Sequence, residues 1–134
     1  MEKYKLKRSG KPPLAFEGEK LAEAGGKWQA GRELNRWHDI TAYRTVGGRY
    51  ILQIEYHSLW QGEEGHDFVE DADNPGELAE IVLDYDPIGH AQGFPPGAQF
   101  EEKQARMVSA LRAQYDTRIS EVLSQIPGAE EVIE

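Results

Sequence analysis

The 134-residue sequence has no cysteine, which excludes a disulfide framework, a thiolate nucleophile and every cysteine-ligated zinc or iron-sulfur centre. Any metal must be held by oxygen or imidazole. Nowhere do about 18 apolar residues run together, so no membrane helix is expected. The opening "MEKYKLKRSGKPP" is basic but leads into no apolar run, unlike a secretory signal. A soluble, cytoplasmic protein is expected. Also missing are the phosphate loop G-x-x-x-x-G-K-S/T, a G-x-G-x-x-G after a strand, H-E-x-x-H and G-x-S-x-G. Nucleotide cofactors and serine nucleophiles lose their support, and no cofactor is expected on these grounds. A further absence is local. From Tyr50 to Glu102 there are thirteen carboxylates and not one Lys or Arg, whereas residues 1–36 hold nine Lys/Arg against five Asp/Glu. The chain is charge-segregated.

The length suits one domain with its own core. With 39% hydrophobic and 10% aromatic residues and a net charge of -9, the chain lies in the globular range. Residues 1–134 therefore read as a single domain, with a basic leader at 1–12 and a frayed acidic tail at 128–134. The segment "PLAFEGEKLAEA" begins with strand-like alternation, and Gly18 with the later spacing of Leu21 suggests a bulge or an early end. "GGKWQAGRELN" and "PIGHAQGFPPGAQ" read as loops. "RWHDITAYRT" and "RYILQIEYHSLW" form the clearest pair of strands, joined by "VGG". A helix begins at Asn74 as N-cap with Pro75 at its first position and Leu78, Ile81, Val82 and Tyr85 on one face. A long helix runs from about Ala98 to Ile126. It would be roughly 40 Å long, enough for part of it to project and meet another chain as a homodimer.

These elements imply an α+β fold: a small antiparallel sheet of three to four strands, with the long C-terminal helix on its aromatic face and the shorter helix alongside. If Gly47 and Gly48 are the two central residues of the hairpin turn, Val46 faces Arg49. Tyr50, Leu52, Ile54, Tyr56 and Trp60 then share the core face with Trp37, Thr41 and Tyr43, and His38 stands opposite His57 on the other. Directly opposed residues have Cβ atoms about 4.5–5.5 Å apart. A three-residue loop would destroy this pairing.

Two function classes follow. The stretch "EEGHDFVEDAD" places Glu63, Glu64, Asp67, Glu70, Asp71 and Asp73 within eleven residues with no cation among them. A continuous anionic face attracts basic partners and weakens with salt, and it disfavours direct nucleic-acid binding. The leading expectation is a non-enzymatic interaction protein, an inhibitor, immunity factor or regulatory subunit, binding a basic protein surface of the kind that normally binds nucleic acid. A rival source of the segregation is self-association, with Lys3, Lys5, Lys7, Arg8 and Lys11 of one subunit meeting residues 63–86 of another. The alternative is a metal-dependent hydrolase in which His38, His57, Glu63 and His66 hold zinc or manganese. The plainer reading of the two histidines, and the one favoured, is a solvated sheet face. The acidic loop lacks a calcium-loop pattern. His90 in its loop, the Asp84/Asp86 pair and the three tryptophans read as surface or core residues.

Overall fold

The longest strand organises the others. In the computed structural model, which describes residues 1–26, 35–60, 62–91 and 101–130, β2 (Lys11–Ala24) pairs first with β1 (Glu2–Arg8) and then with β3 (Arg36–Thr45). The sheet continues through β4 (Tyr50–Ser58) and β5 (His66–Ala72) as an antiparallel meander in chain order. Gly18 sits where β2 changes partner. A Cβ there would lie 2.1 Å from the carbonyl oxygen of Arg44, so the backbones approach this closely only at glycine. A register shift follows between Lys20 and Ala22. The expected bulge is present, and the strand does not end early but runs on to Ala24.

Bulges add twist and bend, and here the sheet curls until the turn after β1 reaches β5. The Ser9 N–H donates to the carbonyl of Asp67 at 2.8 Å, and Ser9 Oγ accepts from the Asp67 N–H at 2.9 Å. The basic leader is thus an edge strand, with Tyr4 and Leu6 turned inward and Lys3, Lys5 and Lys7 exposed. The acidic stretch, expected as a loop or irregular strand, supplies β5. These two additions make the sheet five-stranded.

Two helices cover one face. Asn74 caps α1 (Pro75–Asp84) as expected, its Oδ1 accepting from the Glu77 N–H at 2.8 Å. The long helix α2 (Glu101–Leu123) packs across β2 and β3. Its fully buried side chains begin only at Leu111, so the first turns carry little of the core. The main core joins Ile40, Ala42, Leu52 and Ile54 of the sheet to Leu78 and Val82 of α1 and to Tyr115, Ile119 and Val122 of α2. A second, smaller core lies on the other face inside the curl, where Leu6, Tyr43, Ile51 and Val69 meet Tyr4, Leu14 and Phe16. The tail beyond Glu130, most of both expected loops and the start expected for the long helix lie outside the described residues.

The hairpin register differs from expectation by one residue. Thr45 closes a three-residue loop: its N–H donates to Arg49 O at 2.8 Å, its carbonyl accepts from the Gly48 N–H at 2.9 Å, and its Oγ1 accepts from the Arg49 N–H at 3.0 Å. Only Gly48 takes a positive φ, +86°, the left-handed residue that ends loops of this length. Opposed pairs are consequently Ala42 with Leu52, Ile40 with Ile54 and His38 with Tyr56. A shift of one residue sends every side chain of a strand to the other face. Leu52, Ile54 and Tyr56 stay under the helices as expected, but their partners are Ile40, Ala42 and His38, while Trp37, Thr41 and Tyr43 turn away.

Candidate functional site

The acidic stretch meets cations of its own chain. The Glu63 side chain is enclosed, 2% exposed, and its carboxylate receives Arg36 Nε at 3.0 Å and the second guanidinium nitrogen at 2.9 Å. The Tyr56 hydroxyl also donates to it, and Trp60 lies over the guanidinium at 5.0 Å. This network fastens the loop before β5 to the sheet; a carboxylate so enclosed offers nothing to a partner. Glu70 pairs with Lys11 at 3.1 Å. Arg49 bridges Asp71 and Asp73, the latter at 2.6 Å. Of the six acids expected to form a partner-binding face, Glu64 and Asp67 have no ion pair among the described residues.

The expected metal set is not brought together. His38 is 0% exposed and sits among Tyr56, Tyr85 and Tyr115 at ring-centroid distances of 5.2, 6.0 and 5.1 Å. Burial, with smaller contributions from His57, His90 and Arg118, pulls its pKa down to about 4 against the opposing pull of Asp39. His57 occupies the opposite face, opposed to Trp37 and stacked on its ring at 5.1 Å. His66 stacks on His90 at 3.5 Å, and Glu63 belongs to Arg36. The three-residue loop is the physical reason: His38 and His57 are one step out of register and point apart.

The same register builds a constellation that sequence reading missed. Asp39 and Glu55 are directly opposed on β3 and β4, Asp67 faces Glu55 from β5, and His57 follows Glu55 by two residues on the same side. His57 Nε2 lies 2.9 Å from Asp39 Oδ2 and 4.0 Å from Glu55 Oε2. Asp39 is held from behind by the Gly26 N–H, which donates to Oδ1 at 2.7 Å. A Cβ on Gly25 would lie 2.0 Å from that oxygen, so the residue that follows β2 must be glycine for the backbone to close on the carboxylate. Beside these groups an open depression of about 430 Å3 is lined by Glu23, Gly25, Asp39, Thr41, Glu55 and Glu121.

Electrostatics bind this group together. Half-burial pushes the Asp39 carboxyl up, but His57 and the Gly26 N–H outweigh it and leave the pKa lowered. Burial raises Glu55, helped by Asp39 and Asp67 and opposed by His57 and Lys7. The Asp39 carboxylate raises His57 against the cost of burial. The visible signal was Glu55-x-His57, an alternation that places both on one strand face. Its partner Asp39 could be paired with it only once the loop length was known.

A second anionic surface lies on α1. Glu80, Leu83 and Asp84 are exposed, Leu83 at 62%, and Asp86 follows them, its Oδ1 accepting from the Ile88 N–H. Among the described residues no cation pairs with Glu80, Asp84 or Asp86. No helix among the described residues is long and apolar enough to cross a membrane. Comparison with family models, curated proteins and solved structures finds no match to this chain.

Proposed function

We propose that the protein is a non-enzymatic acidic interaction protein of the cytoplasm, an inhibitor, immunity factor or regulatory subunit that binds a basic protein surface. The surface assigned to this role is the outer side of α1, with Glu64 beside it in chemistry, rather than the acidic stretch as a whole. One observation carries the reading: after Lys11, Arg36 and Arg49 have paired with Glu70, Glu63, Asp71 and Asp73, Glu80, Asp84 and Asp86 still stand without a cation among the described residues, in a span that has no Lys or Arg of its own. The exposed Leu83 between them supplies an apolar anchor, since interfaces draw affinity from buried side chains and encounter rate from complementary charge.

The test is capture from native cells with tagged wild-type protein and a Glu80→Lys/Asp84→Lys variant, at low and high salt. The expected result is a basic protein retained by the wild type at low salt, released as salt rises, and lost with the variant. Retention of no basic protein, or retention equal in both proteins and insensitive to salt, would overturn the reading.

A further inference from the structure

We propose that Asp39, Glu55 and His57 form a binding site for one divalent transition-metal ion of the zinc or manganese class. The inference is independent of the anionic face of α1 and rests on residues of β3 and β4 alone. One ligand atom from each of the three side chains can be chosen so that all lie within 4.8 Å of one another. The separations of His57 Nε2 from Asp39 and Glu55, 2.9 and 4.0 Å, bracket the edge of about 3.3 Å expected between donors of a tetrahedral site with bonds near 2.0–2.1 Å. Small side-chain rotations suffice to close the set.

Several observations separate this group from a chance meeting of surface acids. The imidazole Nε2 faces the carboxylates, is itself shielded from solvent, and lies 2.9 Å from Asp39 Oδ2. It is a ligand atom aimed at the cluster. The Trp37 ring stacks on the imidazole with an interplanar angle of 22°, which fixes the plane in which Nε2 points. Gly26 orients Asp39 through its other oxygen. Outer partners of this kind hold metal-binding side chains in place and matter nearly as much as the ligands. Asp67 lies beside Glu55, so three carboxylates converge on one imidazole, with Lys7 the cation that also acts on Glu55.

The donor set decides the class of ion. One imidazole with two carboxylates suits zinc, manganese or iron(II), while calcium seeks six to eight oxygens and magnesium avoids imidazole and keeps its waters. Three protein ligands leave coordination positions open, and the neighbouring depression gives them access to water or a small ligand. A metal must displace any proton held by His57, so binding strengthens as pH rises.

The experiment is calorimetric titration of the chelator-treated protein with Zn2+ at pH 6 and pH 8, for the wild type, Asp39→Asn, His57→Gln and His66→Ala, with circular dichroism to verify folding. The expected result is one ion per chain, tighter at the higher pH, weakened at least about tenfold by Asp39→Asn and by His57→Gln, and unchanged by His66→Ala. In the unmodified protein, Mn2+ should broaden the NMR signals of His57 and Trp37 before those of His66 and His90. No saturable binding, binding unaffected by the Asp39 and His57 variants, or broadening that begins at His66 and His90 would overturn the proposal.

Discussion

At the scale of single residues, His38 is an imidazole held wholly out of water. It is 0% exposed, and among the described residues neither ring nitrogen has a hydrogen-bond partner, which a neutral imidazole tolerates better than a charged one. Its pKa falls from 6.5 to about 4, chiefly through burial. Between those values the unfolded chain binds a proton at this position and the folded chain does not. Stability contributed by the neutral ring is therefore complete above pH 6.5 and is lost as pH falls toward 4, by roughly 3 kcal/mol in all. Urea unfolding of the wild type and of His38→Gln across this window provides the check. The variant should show a slope with pH that is smaller by up to one proton, and parallel slopes would contradict the assignment.

Residue chemistry also explains why the acidic stretch looked freer in the sequence than in the fold. Local spacing reveals ion pairs on a helix, but Glu70 and Lys11 are 59 residues apart and Glu63 and Arg36 are 27 apart. Such pairs exist only after the sheet has curled. The absence of cations between Tyr50 and Glu102 was legible; their arrival from outside that span was not.

At the scale of elements, the VGG loop has the widest consequences, because its length decides which side chains share a face. The strands themselves, the Asn74 cap, the apolar face of α1 and the long α2 were legible from periodicity and from proline and glycine placement. Two glycines, however, fit a two-residue and a three-residue loop alike, and the choice separated His38 from His57 and united Asp39 with Glu55 and His57. Gly48 at φ +86° and Gly47 outside the left-handed region have different tolerances. Gly48→Ala should destabilise the protein by about 1–2 kcal/mol, whereas Gly47→Ala should be close to neutral or slightly stabilising. Thermal unfolding of the two variants distinguishes them; equal effects would point to a two-residue turn.

At the scale of the whole molecule, the curl of the sheet makes the basic leader structural. Leu6 is 8% exposed in the second core and is carried by an edge strand that Ser9 and Lys11 fasten to β5. Leu6→Ala should cost about 2–4 kcal/mol, read from the denaturant midpoint, while a detached leader would leave the midpoint unmoved. One cation of the leader region, Lys11, meets Glu70 of its own β5, while Lys3, Lys5 and Lys7 stay exposed. The chain as a whole carries a net charge of -9, with the exposed carboxylates of α1 at one side.

The most direct measurement of that anionic surface is an amide-resolved NMR titration of the protein with a lysine-rich peptide at low and at high salt. The expected result is a set of shifts centred on residues 76–86, Leu83 among them, that fades as added salt screens the charges. Shifts that centre on β1 or on the Arg36–Glu63 ion pair, or no shifts at either salt concentration, would contradict it.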